Sequence, residues 1–175
     1  MSESFTHQLR LDQIRDGDRI DLLASDSERQ AIASDLGLEA LDKLAAHAMI
    51  ERKGDVIRGT GRILASLTQA CVVTGDPIAA HVDEPFDLLF TPAAPDASGD
   101  SEIELGPEDC DTIFYDGATI DLGHAIVDTL ALSVDPYPRS AAADAALKDA
   151  GVMTEAEAGP FAALEALRKG RESAD

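Results

Sequence analysis

The sequence predicts an α+β domain: a bent antiparallel sheet or partial barrel of about five or six strands, with one short and one main helix. Three observations carry this. Period-two alternation runs through residues 56–73 and again through 78–90. A Thr74-Gly75-Asp76-Pro77 turn joins those two stretches into a hairpin. Leu122, Ile126, Leu130 and Val134 then recur one helical turn apart, the apolar stripe of an amphipathic helix.

Residues 5–11 place His7, Leu9 and Leu11 on one face and read as a strand. An Asp-Gly turn at 15–18 leads to a second extended piece at 19–24. Ser25 and Glu28 have the spacing of a capping box, Ile32 and Leu36 lie one turn apart, and Gly37 suits the position just past a helix end. These predict a short helix near 27–36. Residues 40–52 fit both periods. The hairpin turn at Lys53-Gly54-Asp55 and the extended segment beyond it favour a strand ending near Arg52. In the next strand Ile57, Gly59, Gly61, Ile63, Ala65 and Leu67 share one face, with Arg58, Thr60, Arg62, Ser66 and Thr68 opposite. Its hairpin partner turns Ile78, Ala80, Val82, Phe86, Leu88 and Phe90 one way and His81, Asp83 and Asp87 the other. Residues 91–102 read as a mobile loop rich in Pro, Ala, Ser and Asp, and a short strand is expected around 111–117. Asp121 is the expected N-cap of the main helix at 121–134, which Pro136 and Pro138 terminate.

The expected domain spans 1–138. Residues 139–175 read as a flexible acidic tail, a loose or frayed segment up to Gly159 closed by a short amphipathic helix with Phe161, Leu164 and Leu167 on one face. No run of about 18 apolar residues occurs and the N-terminus lacks a signal-peptide layout, so a cytoplasmic protein without a membrane span is expected.

The net charge of −20 is unevenly spread. Residues 63–138 carry 15 Asp and Glu and no Lys or Arg, whereas residues 1–62 hold nine of the fourteen cations. A cation-free block is repelled by phosphate backbones, which argues against RNA binding through it and suits a basic partner or simple solubility. A small RNA-facing patch stays open in the stretch from Arg10 to Arg62.

No residue set points to catalysis, a cofactor or a metal. Strand parity puts Cys71 on the apolar face, as a small core residue, and its nearest cation in sequence is Arg62. Thr74 stands three residues on, where a second Cys would make a zinc knuckle, and Cys110 is isolated. A Cys71–Cys110 disulfide runs against a cytoplasmic setting. His7, His47, His81 and His124 show no ligand or triad spacing, and no nucleotide-binding or nucleophile-elbow motif occurs.

Residues 68–92 (TQACVVTGDPIAAHVDEPFDLLFTP), 120–139 (IDLGHAIVDTLALSVDPYPR), 160–170 (PFAALEALRKG) and 28–41 (ERQAIASDLGLEAL) resemble, in this order, the YceD family of large ribosomal RNA subunit accumulation proteins. The likeness covers most of the chain and looks closest to the alphaproteobacterial branch. It departs at Thr74, where many members carry a second Cys, at Gly75, where a larger residue is usual, and at His124, where Glu is common. The resemblance implies a non-enzymatic factor in large-subunit biogenesis that supports accumulation or processing of 23S ribosomal RNA. With the charge argument it implies a basic ribosomal protein or large-subunit precursor as partner, with only weak direct RNA contact. Tyr137 and Arg139, of types common at interface hot spots, are candidate contacts, as are Phe161, Leu164 and Leu167. An RNA-processing enzyme and an interaction module unrelated to ribosomes are the alternatives.

Overall fold

The computed structural model describes residues 5–93 and 112–152. The chain divides into two compact units: Met1–Gln69 with Ala79–Pro136, and Ala70–Ile78 with Tyr137–Asp175. The first unit is the α+β body. Its elements are β1 (Gln8–Arg10), β2 (Asp18–Leu23), α1 (Asp26–Asp35), β3 (Ala40–Lys53), β4 (Val56–Ala70), β5 (Pro77–Pro92), β6 (Thr112–Tyr115), β7 (Thr119–Asp121) and α2 (Leu122–Ser133). The outermost residues of β4 and β5 belong to the second unit, together with α3 (Ala143–Asp149).

The main sheet has the order β2-β3-β4-β5-β6, and a small second sheet pairs β1 with β7. β2 with β3 and β3 with β4 are antiparallel, with a register shift between Leu41 and Lys43. β4 and β5 run oppositely as well: their side-chain links Arg58–Asp87, Arg62–Asp83 and Ser66–His81 ascend one strand while descending the other. β5 and β6 are parallel, with Leu89 opposite Thr112 and Pro92 opposite Tyr115. The sheet is therefore mixed rather than wholly antiparallel, and it is open, with β2 and β6 as its edges. A parallel neighbour needs a long connection, which residues 93–111 supply.

Each element follows from local chemistry. α1 starts on a complete capping box: the Ser25 amide donates to Glu28 Oε2 at 2.7 Å, and the Glu28 amide donates to Ser25 Oγ. Gly37 follows in the left-handed conformation, φ 65°. In β3 the strand period wins, because Leu44, Ala46, Ala48 and Ile50 all turn inward and are buried. The sequence did not reveal β7, which is three residues long. Asp121 is at once the last residue of β7 and the N-cap of α2. Its Oδ1 accepts the His7 amide at 3.0 Å and the His124 amide at 3.1 Å, pinning the chain start to the helix start.

The core fills one face of the main sheet. Leu44, Ile50, Ile57, Ile63, Leu67 and Phe90 from the sheet pack with Ile120, Leu122, Ile126 and Leu130 from the β7–α2 segment, all under 2% exposed or close to it. Burying such side chains contributes roughly 1.5–3 kcal/mol each before entropy is charged against it. Two glycines allow close approach. A Cβ at Gly61 would overlap the His47 carbonyl and the Phe86 ring, and one at Gly123 would lie 2.7 Å from His7 N and Phe5 O.

In the second unit, α3 occupies part of what the sequence reads as a loose or frayed segment. Asp144 in its first turn and Lys148 in its last both suit the helix dipole. The loop expected at 91–102, beyond Ala93, and the terminal helix at 160–170 lie outside the described residues. Among the described residues, no helix is long and apolar enough to cross a membrane.

Candidate functional site

Cys71 follows directly on the end of β4 and is a free, buried thiol, 3% exposed. The turn after it is closed by the Cys71 amide donating to the Asp76 carbonyl (2.8 Å) and the Gly75 amide donating to the Cys71 carbonyl (2.9 Å). Gly75 has φ 75°, a value that glycine adopts without Cβ strain. Thr74 Oγ1 donates to Asp76 Oδ2 at 2.6 Å. Within the same unit the segment Tyr137–Ser140 lies along this turn. The Val72 amide donates to the Pro138 carbonyl at 2.9 Å, and the Ser140 amide donates to Cys71 Sγ at 3.3 Å.

The sulfur thus accepts amide hydrogen bonds from Thr74 (3.5 Å) and Ser140 (3.3 Å). Hydrogen bonding from Thr74, then from the Ser140 amide, holds the thiol down to about 6, against an opposing effect of burial. Parity predicts the burial correctly. What it misses is the acceptor role, because the donors are uncharged backbone amides rather than a neighbouring Lys or Arg. The only trace in the sequence is Thr74 itself, followed by Gly75 in a turn.

Tyr137 and Arg139 flank Pro138, so both candidate contacts sit on a segment tied down through its middle residue. Tyr137 is 75% exposed. Arg139 Nη1 lies 3.6 Å from Asp144 Oδ1, an exposed pair of a kind worth little to stability. Phe161, Leu164 and Leu167 lie outside the described residues.

Among the described residues, five of the nine cations of residues 1–62 meet partners within the chain. Arg10 pairs with Asp12, Arg29 with Asp26 and the Ala24 carbonyl, and Arg52 with the Gly54 and Leu11 carbonyls. On the outer face of the sheet Arg58 grips Asp87 with two nitrogens, and Arg62 pairs with Asp83. The Arg58 hydrogen bonds hold the Asp87 carboxyl below the usual carboxylate range. His47 Nδ1 meets Asp21 Oδ1 at 2.7 Å. Since Asp21 is opposite His47 and His47 opposite Arg62, a polar row Asp21–His47–Arg62–Asp83 crosses four strands. Sequence alternation shows which residues face outward. It does not show the register that aligns them. His81 Nδ1 reaches Ser66 Oγ at 3.2 Å, and His124 Nε2 lies 3.6 Å from Asp128. Among the described residues, no group of three His, Cys, Asp or Glu is arranged to hold a metal.

No curated protein and no solved structure matches the chain. One family model does, that of "Large ribosomal RNA subunit accumulation protein YceD", over residues 59–168. That span contains most of β4, all of β5, the Cys71 turn and the whole cation-free block. It covers well over half of the 175 residues, and the chain belongs to the YceD family.

Proposed function

We propose that this protein is a non-enzymatic, cytoplasmic factor that supports accumulation of 23S ribosomal RNA during large-subunit assembly. It does so by binding a basic ribosomal protein, or an assembly intermediate through its protein component. The family description supplies the link to large-subunit ribosomal RNA. The observation that carries the choice of partner is electrostatic. Residues 63–138 hold 15 acidic groups and no Lys or Arg, and five of the nine cations of residues 1–62, Arg10, Arg29, Arg52, Arg58 and Arg62, meet partners within the chain. Phosphate backbones are gripped by clustered cations, and the 14 Lys and Arg of this chain are outnumbered by 34 Asp and Glu. A basic polypeptide meets an acidic surface with favourable steering. Tyr137 and Arg139 remain proposed contacts on the second unit, as do Phe161, Leu164 and Leu167.

Depletion of the protein, followed by gradient sedimentation of ribosomal particles, tests the role. The expected result is a deficit of mature large subunits and co-migration of the protein with large-subunit precursors. Unchanged particle profiles, with the protein confined to the top of the gradient, refute it.

A further inference from the structure

The face formed by β6, β7 and α2 in the first unit contains a cleft of about 230 Å³. Its floor is apolar and sealed: Phe90, Ile120 and Ala125 are 1–2% exposed. Its mouth carries Phe114, 61% exposed on an edge strand, with the exposed carboxylates of Asp116 and Asp128. Asp116 makes no hydrogen bond or ion pair with any described residue, and Asp128 has only the longer 3.6 Å approach of His124, itself exposed. No Lys or Arg occurs anywhere between residues 63 and 138 to neutralise these carboxylates from within the same elements. Asp121 also borders the cleft, but its Oδ1 is occupied by two backbone amides.

We propose that this cleft is a socket for one arginine side chain of the basic partner. The inference rests on the basic-partner reading above and assigns it a place. The chemistry fits in three parts. The apolar floor covers the methylene stem, which long cationic side chains bury readily while their heads stay polar. Asp116 and Asp128 at the mouth are of the group type that a guanidinium binds through paired, charge-assisted hydrogen bonds. Phe114, exposed and lining the same cleft, supplies an aromatic ring of the kind that planar cations stack on. The volume is below the roughly 300–1,000 Å³ typical of small-molecule sites, so it suits a single inserted side chain better than a cofactor.

The test uses the full chain and a fluorescent twelve-residue peptide of alternating Arg and Ala, with Lys and Glu counterparts as comparisons, read by anisotropy. The paired variant Asp116→Asn/Asp128→Asn is compared with Asp42→Asn/Asp149→Asn, which removes equal charge from exposed sites elsewhere. All altered side chains are exposed, and far-ultraviolet dichroism checks that each variant folds. Loss of charge-assisted hydrogen bonds predicts a drop of about tenfold or more for the cleft pair, and little change for the control pair. Phe114→Ala is expected to weaken the Arg peptide by about two- to fivefold. Equal losses in both pairs would mean diffuse attraction and overturn the socket. So would cleft variants that abolish self-association and leave the peptide unaffected, because the occupant would then be a second copy. The two claims fail separately. If wild type and cleft variants capture large-subunit proteins equally well, the socket falls and the proposed function stands. If wild type captures none, the proposed function falls.

Discussion

Two backbone amides converge on the sulfur of Cys71, one from its own turn and one from Ser140. That arrangement favours the thiolate without any neighbouring cation. The sign of its effect on stability follows. The folded thiol is held at about 6 and the unfolded one returns to the ordinary 9.0, so the unfolded chain binds the extra proton between those values. Stability from this group is complete above pH 9, falls as pH drops through the window, and is lost below about 6. In a Cys110→Ser background, thiolate absorbance at 240 nm should titrate with a midpoint near 6, and Cys71→Ala should remove that titration. A midpoint at the ordinary thiol value contradicts the hydrogen-bonded geometry. Sequence parity foresees where Cys71 points, since alternation reports burial. It is blind to Ser140, sixty-nine residues away, because hydrogen bonds from distant backbone leave no local pattern.

At the level of elements, the long strands are written in alternation and the helices in their caps. Ser25 with Glu28 locates α1 within one residue of its start, and Asp121 marks the start of α2. β7 escaped detection because three residues are too few to establish a period, and its last one reads as a cap. The parallel β5–β6 pair escaped because strand direction depends on where a chain returns, which residue types do not encode. The cleft at β6–α2 is hidden for the same reason: Phe114 and Asp116 lie at the end of β6 and just beyond it, and Asp128 lies in α2. Gly61 gives an element-scale test of packing. Its missing Cβ makes room for the His47 carbonyl of β3 and the Phe86 ring of β5, whereas a Cβ at Gly59 would meet only ordinary contacts at 3.5–3.8 Å. Gly61→Ala should therefore lower the urea midpoint by the equivalent of roughly 1–3 kcal/mol at unchanged slope, and Gly59→Ala by clearly less. Equal effects at the two positions contradict the close strand approach described for Gly61.

On the scale of the whole molecule, charge distribution bears most directly on function. The net −20 and its cation-free block are plain in the sequence. Only the structure shows that Arg58 and Arg62, within the stretch from Arg10 to Arg62 where an RNA-facing patch stays open, pair with Asp87 and Asp83 across the outer sheet. The family match supplies the link to large-subunit ribosomal RNA, and the proposed protein partner rests on the charge distribution. Affinity capture with the full chain, at low and moderate salt and with and without ribonuclease, separates the two kinds of partner. The account predicts that a basic large-subunit ribosomal protein is captured after ribonuclease treatment and that capture weakens as salt screens the attraction. Capture abolished by ribonuclease at both salt concentrations would contradict it, because RNA would then be the bound component.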